Sequence, residues 1–244
     1  ISGGRIDIGL GLGYRVGEFK GMGIPTNERG RRFKEQLPLL RQLLDGDNVT
    51  LDGKYHNLEN AQIMPPAVQK PVPLWVGARG DKALDRAAKL GCHLAGVSAE
   101  HRRRYRSALE KHGRTPDDYD VSQMVLVYVN ESKEKAWQDT AKPINHMLNL
   151  YQDWAIESGD DNNDDQDSRN IPSPEQLKQD QSCDFYGEPA FVGTPEFVTE
   201  GLKAILKRSP CTHLVMMGIL PGVPTENTKK SMELFAREVM PNLK

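Results

Sequence analysis

Short apolar runs alternate with amphipathic segments along the whole chain. Five runs have the length and composition of strands, and they begin near Arg5, Leu74, His93, Ser122 and Thr212. Apolar residues at helical spacing lie between them, and the clearest stripe covers residues 28–44. Because strands that alternate with helices form parallel sheets, the pattern predicts an α/β fold, either an open doubly wound sheet or a barrel.

Three local signals add detail to this outline. Residues 49–58 read as a small β-hairpin around an Asp-Gly pair. Thr194 and Pro195 are typical of the cap and first residue of a helix. Residues 134–156 have helical composition, and Pro143 is expected to kink or divide that helix.

One polar segment interrupts the alternation. Residues 157–168 are acidic and contain no apolar side chain. A calcium-binding loop does not fit, because its glycine and final glutamate would be misplaced. The composition therefore predicts a mobile insert at 157–170 within a single domain that spans residues 1–244.

Composition restricts the class of partner. The chain has 244 residues, enough for a sizeable core, with 32 basic and 34 acidic residues and a net charge of −2. This balance argues against nucleic acid or an acidic membrane surface as a partner. The basic run at 101–104 is interpreted as the solvated face of a short helix.

Cysteine usage and hydropathy bear on the compartment. The three cysteines, Cys92, Cys183 and Cys211, are far apart and show neither a disulfide framework nor metal spacing. No apolar run approaches the roughly 20 residues that cross a bilayer, and we see no signal peptide. These features favour a reducing cytoplasm.

The segment after the second apolar run carries the strongest candidate site. Residues 74–76 read as a buried strand, Gly77 and Gly80 are expected to allow a sharp turn and close approach of a ligand, and Asp81 is a candidate N-cap. Gly91 lies where a C-cap belongs. Such a loop directs backbone N–H groups and the positive end of a helix at one spot, which suits a phosphate. An ordinary strand–helix connection without a ligand explains these residues equally well.

Other polar residues give weaker signals. Histidine is a common acid or base in catalysis. The place of His56 on a hairpin favours a structural or solvated role over a catalytic one. His93 and His213 begin strands, which is the stability end of a barrel. One interpretation of Glu18 is a charge pair with Arg29 or Arg32, and exposed charges that contribute little to stability explain these residues at least as well. The sequence contains no Ser-His-Asp spacing, Walker loop or metal cluster, which fits chemistry carried by an organic cofactor.

Several stretches together resemble one protein family. They are residues 2–14, residues 18–19 with 23–25 and 29–30, residues 53–56 with 65–66, residues 75–81, and residues 231–241. Their residue types and their order are similar to the luciferase-like monooxygenase family, which includes bacterial luciferase and deazaflavin-dependent oxidoreductases. The resemblance covers nearly the whole chain.

The resemblance implies a fold and a gap in it. Family members form a (β/α)₈ TIM barrel with the flavin at the carboxyl ends of the strands. In the family, the Ser-Gly-Gly-Arg segment found here at 2–5 precedes the fourth strand. We therefore expect an incomplete barrel, with strands four to eight present and the first three missing. An open dinucleotide-binding sheet fits less well, because the glycines at 9–13 lack the third glycine at the required spacing.

The resemblance also implies a coenzyme site, reduced FMN or, alternatively, an 8-hydroxy-5-deazaflavin coenzyme. The residues that match the family's coenzyme-binding positions are Leu12, Gly13, Gly77, Ala78, Arg79, Gly80, Asp81, Lys82, Met217 and Gly218. Many relatives have small hydroxyl residues where this chain has Arg79, Gly80 and Asp81, and Asp81 would repel a phosphate unless it caps the helix. The catalytic side chains are not identified.

The implied reaction is monooxygenation or hydride transfer on a small organic substrate. The family also implies two partners, a flavin reductase and a second copy of the chain in a homodimer. The alternative from another class is a non-catalytic truncated barrel that serves as a structural or partner subunit.

Overall fold

The computed structural model describes residues 2–96, 98–158, 170–185, 187–209 and 211–243. The chain divides into two compact units, one of residues 1–96 and 100–121 and the other of residues 97–99 and 122–244. Residues 159–169, most of the predicted mobile insert, lie outside the described residues. The expectation of one domain over 1–244 stays a prediction.

The first unit contains the glycine-rich loop. Its elements are β1 (Ile8–Leu10), α1 (Val16–Gly21), α2 (Arg29–Asp45), β2 (Val49–Asp52), β3 (Asn57–Ala61), β4 (Leu74–Gly77), α3 (Asp81–Lys89), β5 (His93–Ala95) and α4 (Ala99–Lys111), of which residues from 100 onwards belong here. Strands β1, β4 and β5 form a parallel sheet in the order β1-β4-β5. Gly9 pairs with Trp75, and Val76 pairs with Leu94. The predicted parallel arrangement is confirmed for these strands.

Side-chain alternation explains which face of β4 is buried. Leu74 and Val76 are buried, as are Leu84 and Ala88 of α3. Trp75 points to the other face. It is only half-buried, so the prediction that Trp75 lies in the core is wrong. Its indole Nε1 donates to Asp7 Oδ2 at 3.3 Å.

Gly91 ends α3 as predicted. Its φ is +62°, in the left-handed region, and its N–H donates to the carbonyl of Ala88 at 3.1 Å. This is the position just beyond a helix where glycine is favoured, because it has no Cβ to oppose that backbone angle.

The predicted hairpin is formed by β2 and β3, which pair antiparallel. One carboxylate holds its turn: Glu35 of α2 accepts hydrogen bonds from the backbone N–H groups of Lys54, Tyr55 and His56 at 2.8 to 3.0 Å. The His56 ring Nδ1 lies 3.1 Å from the same carboxylate. Gly53 is needed there because a Cβ would lie 2.6 Å from Glu35 Oε1.

The second unit is built on one long strand. Its elements are β6 (Ser122–Val129), α5 (Lys133–Ser158), α6 (Pro174–Asp180), β7 (Asp184–Phe185), β8 (Glu188–Pro189), β9 (Phe191–Gly193), α7 (Pro195–Arg208), β10 (His213–Met217) and α8 (Thr225–Leu234). A π-helical turn, Phe235–Val239, follows α8. Strand β6 lies between β10 and β9, and both partners are parallel to it.

Helix starts in this unit follow their capping residues. Thr194 caps α7, and its hydroxyl accepts the N–H of Phe197 at 3.4 Å, as predicted. Ser173 and Gln176 form a capping box at α6, which the sequence reading missed. Pro143 lies inside α5 without dividing it, so that helix continues from Lys133 to Ser158.

The strands differ in burial. Seven of the eight residues of β6 are buried, whereas none in β1 or β10 is. Val215 and Met216 of β10 expose more than two fifths of their surface. The expectation that the first three barrel strands are missing stays a prediction.

Candidate functional site

The carboxyl ends of the first unit's three strands lie at one edge of the sheet. The register pairs Leu10 with Val76, and Gly77 with Ala95. Leu12 and Gly13 follow β1, and Ala78 follows β4. A Cβ on Gly77 would lie 3.7 Å from the Leu10 carbonyl oxygen, so the backbones run close together. The structure therefore brings these predicted residues to the same edge.

The loop at 77–82 has a different geometry from the one predicted. Gly80, not Asp81, is the N-cap residue of α3, and the helix therefore begins without a side-chain capping bond. Its φ of −74° and ψ of 152° are open to any residue, and Gly77 likewise has no left-handed φ. The backbone angles at these two positions therefore do not require glycine, and the close approach of a ligand stays a prediction.

Gly80 combines open space with its place at the start of a helix. A Cβ there would meet no described atom within 4 Å. The N–H groups of Ala83 and Leu84 donate to the Gly80 carbonyl at 2.9 and 3.0 Å. The preceding N–H groups, those of Asp81 and Lys82, have no acceptor within the helix because no earlier turn exists. An open surface with backbone donors and the positive end of a helix is a suitable cradle for an anion.

Asp81 interacts with Arg104, a residue of the basic run that was predicted to form a solvated helix face. Arg104 of α4 donates from Nε to Asp81 Oδ1 at 2.8 Å, and its Nη2 donates to the same oxygen. His101 and Arg102 are buried. The interpretation of the basic run at 101–104 as a solvated face is therefore wrong for His101 and Arg102, whereas Arg103 is exposed.

A cleft of about 450 Å³ lies between α3 and α4. Its lining residues are Asp81, Lys82, Leu84, Asp85, Arg104, Ser107, Ala108 and Lys111. Asp85 accepts from Lys111 Nζ at 3.1 Å and lies 3.0 Å from His112 Nε2. Hydrogen bonds from these two side chains lower the pKa of Asp85. Both carboxylates of the cleft are thus paired with cations from the α4 side.

Met217 and Gly218 lie in the second unit. Met217 is the last residue of β10 and pairs with Leu126 of β6. A Cβ on Gly218 would lie 3.4 Å from the Val127 carbonyl oxygen. The ten predicted coenzyme positions are therefore divided, with eight in the first unit and two in the second.

The remaining candidates have structural partners. His56 is held by Glu35, and His93 Nδ1 accepts the backbone N–H of Asp120 at 2.9 Å. Glu18 bonds Arg15 at 2.8 Å in place of the predicted Arg29 or Arg32. Across the part of the chain that the structure describes, no group of three or more His, Cys, Asp or Glu side chains is arranged to hold a metal ion. Nor is any described helix long and apolar enough to cross a membrane.

The second unit contains a polar groove that was not predicted from the sequence. About 700 Å³ in volume, it lies between α5 and α8 at the carboxyl end of β6. Asp139, which lines the groove, accepts from the buried Tyr128 hydroxyl at 2.9 Å through Oδ2. The Val129 N–H donates to Ser231 Oγ at 2.8 Å, and both of these residues also line the groove. Burial, and then the Asp139 carboxylate, raise the pKa of Tyr128. These bonds tie α5 and α8 to the strand.

Sequence comparison finds relatives of two kinds. An F420-dependent glucose-6-phosphate dehydrogenase of Nakamurella multipartita is 31% identical over 147 residues, which are 56% of this chain and 43% of that protein. The oxygenase component of a flavin-dependent trigonelline monooxygenase of Acinetobacter baylyi is 26% identical over 260 residues, 99% of this chain and 68% of that protein.

Comparison with solved structures bears on the fold. The monooxygenase RslO1 of Streptomyces bottropensis is 21% identical and superposes with a TM-score of 0.73, over 100% of this chain and 70% of that one. The α/β fold thus matches that of a known monooxygenase.

The sequence profile of the luciferase-like monooxygenases matches residues 1–213. This match covers most of the chain and includes the strand-end loop at 77–82. The chain belongs to the luciferase-like monooxygenase family.

Proposed function

We propose that this protein is a flavin-dependent oxidoreductase or monooxygenase that acts on a small organic molecule. Reduced FMN is the proposed coenzyme, with an 8-hydroxy-5-deazaflavin as the alternative. Family membership supports the class of reaction, and the relatives include both an F420-dependent and a flavin-dependent enzyme.

The observation that carries the proposal is the open surface above Gly80 at the start of α3. Backbone N–H groups of Gly80, Asp81 and Lys82 would hold the coenzyme phosphate, with the Lys82 ammonium as a counter-charge. Lys82 is exposed, and no carboxylate partner is recorded for it among the described side chains. The donor set and the free space fit a phosphate group.

The division of labour follows from this set of residues. The bound coenzyme would supply the redox chemistry, either O₂ activation or hydride transfer. The chain's own part is to anchor the phosphate at 77–82 and to present the strand ends at Leu12 and Gly13 beside it. The assignment of Met217 and Gly218 to the coenzyme stays a prediction from the resemblance.

The alternative, a non-catalytic partner subunit, is not favoured. The family profile extends across the loop, and the loop keeps the space and donors that an anion requires. A flavin reductase is a proposed partner, because the trigonelline relative is the oxygenase component of its enzyme. Homodimer formation is also proposed.

Coenzyme titration tests the proposal. FMN and the deazaflavin would each be added to the purified chain, and binding would be followed by the change in their fluorescence. Gly80→Val fills the open surface and should weaken binding at least about tenfold, because it prevents close approach of the phosphate to the backbone. Gly30→Val is the matched control, since a Cβ on Gly30 also meets no described atom within 4 Å but lies off the loop.

Two results would count against the proposal. If the unmodified chain binds neither coenzyme, the proposed function is wrong. If Gly80→Val binds the coenzyme as tightly as Gly30→Val does, the phosphate lies elsewhere.

A further inference from the structure

We infer that Arg104 is a positioning residue for coenzyme binding: it neutralises the Asp81 carboxylate and thereby makes the start of α3 receptive to a phosphate. This inference rests on the proposed function and adds a residue to the proposed site. Arg104 lies on α4, outside the loop that the family resemblance assigns to the coenzyme.

Asp81 is a poor residue to find beside a phosphate. Its side chain is 83% exposed at the first residue of α3, and it does not cap the helix. A carboxylate in the first turn occupies the same favourable electrostatic position that an anionic ligand would use. Without compensation, the two negative groups would repel each other.

Arg104 provides this compensation. Two of its N–H groups donate to the same oxygen, Asp81 Oδ1, and the guanidinium side chain is 32% exposed. Arginine has five N–H donors and stays charged at any pH that the protein encounters. The guanidinium therefore neutralises the charge of Asp81 with two of its five N–H groups.

The same arrangement recurs one helical turn later. Asp85 follows Asp81 by four residues, on the same side of α3. It is paired with Lys111 and His112, which follow Arg104 by two turns on the α4 side. The cleft is lined by three cationic side chains and two carboxylates, which leaves Lys82 as its surplus positive charge. The packing of α4 against α3 thus gives an acidic helix start a positive field.

Stability alone is a weak reason for this pair. Exposed ion pairs contribute little to the free energy of unfolding, because water and salt screen them. A second Arg–Asp pair, whose arginine also lies on α4, gives a control. Arg106 donates to Asp117 at 2.9 Å, and neither residue lines the cleft.

A set of variants tests the inference by FMN and deazaflavin titration at low and moderate salt. Arg104→Ala should weaken binding of the coenzyme about fivefold, since it exposes the Asp81 charge. Arg104→Lys should retain most of the affinity. The double variant Asp81→Asn with Arg104→Ala should recover it, because no carboxylate is left to neutralise. Arg106→Ala should bind as the unmodified chain does.

Two further readouts separate an electrostatic role from a structural one. Added salt should shrink the difference between the unmodified chain and Arg104→Ala. Thermal unfolding should show the variants to be equally folded. If Arg104→Ala is less stable, the double variant still separates the two roles, because it also lacks Arg104 and should nevertheless recover the affinity for the coenzyme.

The outcomes distinguish the two proposals. Unchanged affinity in Arg104→Ala, or a double variant as weak as Arg104→Ala, would overturn the role of Arg104 while leaving the proposed function in place. Failure of the unmodified chain to bind either coenzyme would overturn both.

Discussion

Two carboxylates of the first unit, Glu35 and Asp81, differ in almost every respect. Glu35 is 19% exposed and accepts three backbone N–H groups as well as contacting the His56 ring. Asp81 is 83% exposed and is bonded by one side chain, that of Arg104. Glu35 supplies hydrogen-bond acceptors to the backbone of the hairpin turn, whereas Asp81 changes only the local charge.

The difference shows how to read an acidic residue in this fold. A carboxylate that satisfies backbone donors holds a loop in shape, because each of those donors would otherwise lose its partner. A carboxylate bonded only by an exposed arginine leaves the backbone as it was. The first kind is expected to affect folding, and the second to affect the binding of charged ligands.

The largest effect should come from Glu35→Gln. The amide can accept fewer hydrogen bonds and carries no charge, so the hairpin turn at 53–56 loses most of its anchoring. We expect the melting temperature to fall by about 5–10 °C. Thermal unfolding followed by circular dichroism measures it. A melting temperature within a degree of the unmodified chain would mean that the turn is held by other contacts.

A smaller effect should appear on acidification. Burial alone would raise the pKa of Glu35, but the hydrogen bonds from Tyr55, His56 and Lys54 outweigh it and lower the pKa below its ordinary value of 4.5. A lowered pKa in the folded state means that stability is present above pH 4.5 and is lost as the pH falls through the folded-state value. Urea unfolding measured from pH 7 to well below pH 4.5 should show this loss.

The control for the pH effect is Glu35→Gln itself. That variant has no carboxylate to protonate at this position, so its stability should fall less steeply over the same range. Equal slopes for both proteins would assign the acid sensitivity to other groups, among them Asp85, whose pKa is also lowered.

The smallest effect on stability should come from Arg104→Ala. The pair with Asp81 is exposed and adds no backbone bond, so the free energy of unfolding should change by less than about 0.5 kcal/mol. Arg106→Ala is the matched variant. A loss comparable to that of Glu35→Gln would remove the distinction between the two carboxylates.

Much of the first unit's fold could be predicted from the sequence. The apolar run at 74–76 and the helical spacing after Asp81 predicted the strand and the helix within a residue of their observed bounds. Residues 184–193 gave no such signal, because β7, β8 and β9 are two or three residues long and too short to show a period.

The candidate site was predictable in part. The glycine-rich loop could be located because its residues are adjacent in the chain. The cap was assigned one residue too late, to Asp81 in place of Gly80, since an aspartate is the more usual cap. The role of Arg104 could not be found, because its contact with Asp81 depends on how α4 packs against α3. No local pattern encodes that packing.

The central place of β6 in the second unit also has a consequence for synthesis of the chain. Both of its neighbours come later: Tyr128 pairs with Val192 of β9, and Leu126 with Met217 of β10. A nascent chain that has just completed β6 therefore carries its most apolar strand without a partner. Closing such distant pairs is slow compared with forming a hairpin. On the ribosome, β1, β4 and β5 of the first unit are synthesised well before the second unit can assemble its β10-β6-β9 sheet.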